Sequence, residues 1–395
     1  MRDIWQSFVK FFTSLKLTVV LLALGIVLIF IATLAQGDLG VWGVQKRYFH
    51  TFFVLRDVGS VPVPVFPGGY FIGGLLLINL VSAHIYRFQL TAKKIGIQLA
   101  HAGVILLLVG ELLAGLWQED FQMNLKEGET RSYAESFRHH ELVIVDTTDP
   151  QTDQVVAIPE KLLARRGEVD TGGRLPFRVI VKGYWPNTEL RGPNEPAGAL
   201  TGASFSSQGL GARLSFTPVA PTTKDNEGNL PVAAIELAGP GGSIGSWLVS
   251  PPLDRFAGQP QSFEHAGRQW RVELRVARDY QPFSLTLLKV THDIYPGTTT
   301  PKNFSSRVRV RSEDGRDDRE TLIYMNNPLR HRGLTFYQFQ MDAPNRNSVL
   351  QVVRNPSWTL PYVSCALVSL GLLVQFGFSL LAFVGRRKST AKAQA

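Results

Sequence analysis

Two histidines lie in or beside apolar stretches of this 395-residue chain, where an imidazole could do chemistry. His101 follows Lys94 by seven residues inside one such stretch, which places it roughly 10 Å along a helix. An ionisable side chain at that depth in a membrane marks a functional site, since it is disfavoured without a partner. Because neutral imidazole is a common axial ligand of haem iron, His101 is a candidate haem ligand. His84, three residues before Arg87, is the weaker candidate.

The residues beside His101 are compatible with two arrangements. Those with small side chains are Gly96, Ala100, Ala102 and Gly103. They leave space in which a flat apolar cofactor fits against the helix. Gly and Ala are also the residues that close packing of two helices uses, and a histidine there would bond to a polar group of another helix. The residue types alone leave both arrangements open.

Segment 118–356 carries no recognisable catalytic motif. Its histidines, none of which has a metal-binding spacing such as His-Glu-x-x-His, are His139, His140, His265, His292 and His331. A Gly-x-Ser-x-Gly elbow and a phosphate-binding loop are both missing from this sequence. The single cysteine of the chain excludes an internal disulfide, a cysteine zinc site, an iron–sulfur cluster and a Cys-x-x-Cys-His haem attachment site. We expect this segment to dock or chaperone another protein.

Long apolar runs supply the elements that must position these residues. Residues 17–37 carry no charge and are long enough to cross a hydrocarbon core of roughly 30 Å. The further apolar runs are residues 68–86, 95–117, in which Glu111 is the one acidic residue, and 357–385. The sequence therefore predicts an integral membrane protein with four transmembrane helices.

The net charge of +9 is concentrated beside these runs, whereas segment 118–356 is close to neutral. Lys and Arg mark the cytoplasmic flanks of membrane proteins, so segments 1–16, 87–94 and 386–395 are predicted to be cytoplasmic. Loop 38–67 and segment 118–356 are then extracytoplasmic, on the periplasmic or lumenal side of a bacterial inner membrane or a thylakoid membrane. This distribution excludes a soluble nucleic-acid-binding protein, whose basic residues would form a surface patch.

Short runs of alternating or β-branched residues fill segment 118–356. Examples are residues 141–146, 269–276 and 334–340, and turn pairs such as Asp314-Gly315 separate the runs. No helical periodicity of useful length is present. The pattern predicts a large all-β extracytoplasmic domain, either a sandwich or an open barrel.

Four short stretches carry a family resemblance. Residues 94–110, KIGIQLAHAGVILLLVG, begin with Lys-x-Gly and place His101 before an apolar run that ends on glycine. A Glu-Gly-Glu stretch at 127–129 follows near the start of the large segment. Residues 325–338, MNNPLRHRGLTFYQ, contain the pattern Asn-x-Pro-Leu-x-x-x-Gly-x-x-Phe-Tyr-Gln, and residues 354–357 precede the last run. This combination resembles the ResB/CcsB family of System II cytochrome c biogenesis.

The resemblance implies a specific role. Members of this family pair with a polytopic CcsA (ResC) protein to form the cytochrome c haem lyase, which attaches haem to apocytochrome c. It implies that this chain is non-catalytic alone and shares non-covalent haem b with that partner, His101 supplying one axial ligand. Because the tryptophans here are scattered singly, the tryptophan-rich attachment site is expected on the partner. The resemblance further implies that the 325–338 pattern meets a partner or shapes the fold, through Asn327, Pro328, Gly333, Phe336, Tyr337 and Gln338.

Two other functions remain open from the residues. In the first, His84 and His101 form a bis-histidine pair in a b-type haem electron-transfer subunit, because their depths differ by only about 5 Å at helical rise. In the second, the spans hold no cofactor, and the β domain makes the protein a membrane-anchored scaffold or sensor.

Overall fold

The chain divides into two units in the computed structural model. The spanning unit comprises Met1–Glu119, Thr223–Asp225 and Arg354–Ala395, and the β unit comprises Asp120–Thr222 and Asn226–Val353. The structure describes residues 2–59, 61–86, 91, 94–224, 227–251, 253, 261–298, 301–342 and 346–393. Most of the predicted turn 87–94 lies outside the described residues, as do the side chains of the predicted tail 386–395.

The spanning unit is helical. Its helices are α1 (Arg2–Phe12), α2 (Leu15–Val44), α3 (Gly69–Tyr86), α4 (Ile95–Trp117) and α5 (Leu360–Ala393). Ser14 precedes α2, and its hydroxyl caps that helix by accepting from the Lys16 N–H at 3.2 Å. The segments long and apolar enough to cross a membrane are Leu15–Phe49, Gly69–Tyr86, Ile95–Trp117 and Leu360–Gly385. The predicted set of four transmembrane helices is confirmed.

The predicted loop 38–67 is largely regular structure. Helix α2 continues beyond residue 37 through a kink at Gly40, where φ is 70°, and ends in a π-helical turn, Gln45–Phe49. An antiparallel hairpin of β1 (Phe53–Val58) and β2 (Val61–Pro67) follows. The predicted end of this helix was too early. Asp38 ends the apolar run, but a charged side chain does not interrupt the backbone hydrogen bonds that continue the helix.

Small residues bring α4 and α5 together. Gly96, Gly103 and Gly110, spaced by seven residues, form a buried seam on α4. A methyl group at Gly103 would lie 2.6 Å from Val368 Cγ2, so no side chain larger than hydrogen fits there without a shift. The Ser364 hydroxyl donates to the Gly103 carbonyl at 2.5 Å. Close approach and a buried hydrogen bond therefore hold these two helices together.

The β unit contains most of the strands. They are β3 (Glu119–Lys126), β4 (Thr130–Asp146), β5 (Gln154–Pro159), β6 (Gly167–Val169), β7 (Arg178–Trp185), β8 (Thr188–Arg191), β9 (Leu200–Thr201), β10 (Ser215–Pro218), β11 (Val232–Gly239), β12 (Gly242–Val249), β13 (Gln261–His265), β14 (Arg268–Ile294), β15 (Pro301–Ser312), β16 (Asp318–Tyr324), β17 (Leu329–His331), β18 (Leu334–Asp342) and β19 (Asn347–Arg354). One short helical turn, Glu160–Leu163, follows β5.

The largest sheet has ten strands and nearly closes on itself. Its path runs β16-β15-β14-β4-β3-β19-β18-β17, with β13 paired to β14 and β5 to β4. Tyr324 at the end of β16 forms a bridge with Asn327, just before β17, which brings the two ends of this path together. Smaller sheets have the orders β12-β11-β7-β6 and β8-β10-β9. The predicted all-β domain is confirmed, and its largest sheet is barrel-like.

Two main cores lie in the β unit, and the long strands β4 and β14 contribute to both. The first core includes Trp247, Trp270 and Leu142, and the second includes Phe283 and Phe336. Strand β14 contributes side chains to both cores. The register of its pairing with β4 shifts twice along its length, between Val276 and Arg278 and between Tyr280 and Leu285. Such irregularities bend a strand.

Candidate functional site

His101 lies on the face of α4 that points away from the glycine seam, and its side chain is exposed. Its Nδ1 is 2.8 Å from the carbonyl oxygen of Ile97, one turn earlier in the helix. Because a carbonyl oxygen can only accept, Nδ1 carries the proton and Nε2 keeps its lone pair. A ring oriented in this way by a backbone carbonyl is the usual form of a metal-ligating histidine.

The small residues near His101 make room for a helix. A methyl group at Gly96 would lie 2.6 Å from the Gln375 backbone nitrogen, and one at Gly371 would lie 2.6 Å from the Ala100 nitrogen. The hypothesis that Gly96, Ala100 and Gly103 leave space for a cofactor is therefore wrong, since α5 fills that space. Any ligand of His101 must approach from the opposite, exposed side of α4.

His84 lies in the last turn of α3 and is partly buried. Helices α3 and α4 pack against each other, so both candidate histidines lie in one helical group. The His101 ring is exposed and its Nδ1 lies at hydrogen-bond distance from a backbone carbonyl, whereas His84 is partly buried. His101 remains the stronger candidate as a prediction.

A cavity of about 420 Å³ opens between α2, α3 and α4 on the His101 side of α4. Leu108 and Leu112, two and three turns beyond His101, contribute to its wall. His50 and Tyr70 also contribute, and their rings are stacked with centroids 5.5 Å apart. The further polar side chains on the wall are Gln36, Gln45 and Glu111. Sequence reasoning could not assemble this cavity, because its residues come from three helices and a turn.

The signature at 325–338 forms a hairpin and the turn before it. Asn327 donates its N–H to the Tyr324 carbonyl at 3.0 Å, and Pro328 then leads into β17. The β17–β18 turn places Arg332 and Gly333 at φ values of 46° and 80°. Two consecutive left-handed residues match the two-residue hairpin turns in which glycine is favoured. Asn327, Pro328 and Gly333 thus shape the fold.

The last three signature residues separate on β18. Phe336 is fully buried in the second core, whereas the next residue, Tyr337, is 39% exposed. Gln338 joins a polar network, with its Oε1 accepting from Ser306 at 2.6 Å and its Nε2 donating to Ser348 at 3.1 Å. Phe336 and Gln338 therefore hold strands together, and Tyr337 alone among these three has an exposed ring.

An acidic group with two histidines in the β unit was missed by sequence reasoning. Glu160 accepts from His139 Nδ1 at 2.5 Å and from the His140 backbone N–H at 3.1 Å. The Tyr184 hydroxyl donates to the same carboxylate at 3.4 Å. Adjacent histidines are the only sequence signal, because Glu160 and Tyr184 are distant in the chain. Among the described residues no cluster of His, Cys, Asp and Glu has the arrangement of a metal site.

Burial and hydrogen bonding set the protonation of this group. Burial would raise the pKa of Glu160, but hydrogen bonds from His139 and His140 outweigh it and hold the pKa below its usual value. Burial lowers the pKa of His140, against the attraction of Glu160. Burial together with the nearby Glu160 charge raises the pKa of Tyr184. The result is a charged carboxylate that accepts hydrogen bonds from His139, His140 and Tyr184, which is a structural arrangement.

Comparison with known proteins identifies the β unit's second half. Residues 259–347, which include the hairpin signature, match the model of the ResB-like family. Over these residues the chain is similar to the ResB-like family. Protein NrfI of Wolinella succinogenes is 33% identical over 110 residues, which is 26% of this chain and 12% of that protein. The predicted family resemblance is confirmed over these residues, and the chain spans only a small part of the length of NrfI. Neither His84 nor His101 lies within the family match.

Proposed function

We propose that this ResB-like protein is a membrane subunit in cytochrome c biogenesis. In this proposal it belongs to the System II haem lyase, pairs with a CcsA/ResC-like polytopic protein and has no catalytic activity alone. The family match and the four apolar helices support a role in that process. The large β unit then lies on the outer side of a bacterial inner membrane or its thylakoid equivalent, where it would receive apocytochrome c.

The observation that carries the proposal is the orientation of His101. Its Nδ1–H is bonded to Ile97, so Nε2 is available on an exposed face of a transmembrane helix. Haem b bound there would have apolar surroundings and would need a second axial ligand, which this face leaves to the partner.

A spectroscopic experiment tests this assignment. We would purify the full chain with a co-expressed CcsA/ResC-like protein and record the reduced-minus-oxidised absorption spectrum. His101→Gly should lose the haem b signal, and added imidazole should restore it because it replaces the missing ligand. Leu108→Ala is the matched control on the same face and should retain the signal. A full haem signal in His101→Gly would refute the ligand assignment.

A second candidate is a b-type haem electron-transfer subunit that uses both histidines. It is favoured by the packing of α3, which carries His84, against α4, which carries His101. It predicts haem retained without any partner and lost in His84→Ala. A colourless complex, together with normal cytochrome c maturation in a deletion strain, would instead favour a cofactor-free scaffold or sensor.

A further inference from the structure

Helix α1 carries a broad apolar face. Its apolar side chains are Ile4, Trp5, Phe8, Val9, Phe11 and Phe12. At 3.6 residues per turn these six fall within about 160° of arc. Gln6, Ser7 and Lys10 occupy the other side. The pattern is that of a helix with one face in an apolar environment and one in water.

Most of this face is uncovered among the described residues. Ile4, Trp5 and Phe8 are 76%, 60% and 55% exposed. Phe11 is 57% exposed, whereas Phe12 is partly buried at the edge of the face that meets α3. Four large apolar side chains in eleven residues would be costly to leave in water. Something apolar must therefore cover them.

The direction in which α1 leaves α2 is held by a buried amide. Asn79 of α3 is 3% exposed, and its Nδ2 donates to the Phe12 carbonyl at 2.7 Å and to the Ser14 carbonyl at 3.2 Å. The Thr18 hydroxyl donates to Asn79 Oδ1 at 2.6 Å. The bond to Phe12 satisfies the carbonyl of the last residue of α1, whereas the Ser14 carbonyl also accepts the Thr18 N–H. Asn79 therefore joins α1, α2 and α3 at a defined elbow.

We propose that α1 lies flat in the membrane–water interface, with its apolar face toward the acyl chains. The elbow supplies the reason, because α2 begins at Leu15 and enters the bilayer directly, so α1 starts at the membrane surface. Trp5 beside Phe8 is the kind of aromatic pair that the interface favours. Lys10 on the opposite face points to water, as basic residues of interfacial helices do. The bound surface is lipid, and the helix sets the depth and tilt of α2.

Spin labels test the proposal in the full chain reconstituted in phosphatidylcholine vesicles. In a Cys365→Ser background, Phe8→Cys and Lys10→Cys each receive a nitroxide. We expect the Phe8 label to collide with oxygen and to lose access to a water-soluble nickel chelate, with the reverse at Lys10. Nickel access at both positions would overturn the proposal. Protection of the Phe8 label from both reagents would also overturn it, because a protein surface would then cover the face.

A second measurement separates burial in lipid from electrostatic attachment and from protein contact. Trp5→Gln with Phe11→Gln should restore nickel access at Phe8, whereas Gln6→Asn with Ser7→Asn, on the polar face, should leave it unchanged. The apolar contacts should persist at high salt, and release of the helix by salt would contradict burial in acyl chains. The spans remain long enough to insert in every variant. Loss of oxygen access only when a polytopic partner is co-expressed would assign the face to protein and refute the lipid assignment.

Discussion

The β unit and the α4–α5 pair of the spanning unit bury opposite kinds of residue. In the β unit the largest fully buried side chains include Trp247, Phe283 and Phe336. In the spanning unit, the buried positions of α4 are Gly96, Gly103 and Gly110, while Leu373 and Phe376 of α5 are 72% and 68% exposed. The same amino-acid types are thus on the inside of one unit and on the outside of the other.

The difference follows from the surroundings of each unit. Water drives large apolar side chains into a core, and each buried one contributes roughly 1.5–3 kcal/mol. Lipid offers no such gain, so helices associate where small residues let backbones approach and where polar groups bond. Ser364 with Gly103, and Asn79 with Phe12, are contacts of the second kind. Burial of large apolar side chains therefore stabilises the β unit, whereas close backbone approach and polar contacts hold the helices of the spanning unit together.

Histidines show the same contrast. In the β unit His139 and His140 are held by Glu160, and His331 lies 3.4 Å from Asp317. In the spanning unit His101 bonds only to a backbone carbonyl among the contacts described, and its ring is exposed. These three histidines of the β unit each have an acidic partner, whereas the described contact of His101 is a backbone carbonyl.

The largest expected effect tests the water-driven side of this comparison. Phe336→Ala should destabilise the β unit by about 3–5 kcal/mol, because it removes a fully buried ring and leaves a cavity. Urea unfolding of the full chain in nanodiscs, followed by tryptophan fluorescence, measures the change. Phe339→Ala is the matched control three residues along β18; its ring is 48% exposed, and its loss should cost far less. Equal losses of unfolding free energy in Phe336→Ala and Phe339→Ala would contradict the role of the buried core.

The next effect tests the lipid-facing side. Gly103→Ala should destabilise the α4–α5 pair by about 1–3 kcal/mol, because its methyl group would lie 2.6 Å from Val368. The control is Gly377→Ala in α5, where a methyl group meets nothing within 4 Å. Alanine there should be neutral or stabilising by up to about 1 kcal/mol from helix propensity. Unfolding in mixed micelles with sodium dodecyl sulfate measures both. If Gly103→Ala stabilised the protein, the close packing of α4 against α5 at the glycine seam would be refuted.

The smallest expected effect is a pH dependence confined to the β unit. The lowered pKa of His140 means that its neutral form stabilises the fold, and this contribution is lost as pH falls below about 6.5 toward the folded pKa. The lowered pKa of Glu160 adds a loss at lower pH, below about 4.3. Urea midpoints between pH 7 and pH 3 should therefore decline.

Two variants sharpen that prediction. His140→Gln should flatten the upper part of the decline, and Glu160→Gln should flatten the lower part. The exposed His292→Gln, on β14, is the control and should leave the profile unchanged. A decline of the same size in all three variants would place the titration elsewhere.

Much of the architecture could be predicted from the chain alone. Uncharged length predicts a span because a helix must match the bilayer, and this located four helices correctly. The end of α2 was predicted too early, because Asp38 ends the apolar run but leaves the helical hydrogen bonds of the backbone intact. The signature at 325–338 predicted the family, but which residues face inward depends on the strand's alternation: Phe336 is buried and Tyr337 is exposed.

The sequence by itself determined what each segment is made of and which solvent it suits. Apolar length, the placement of basic charge and the 325–338 pattern depend only on residues close together in the chain. Tertiary structure alone decided which residues meet. It placed α5 against Gly96 and Gly103, where the residue types alone allowed either a cofactor or a packed helix, and joined Glu160 to His139. Such contacts join distant segments, and their geometry exists only after the helices and strands have packed.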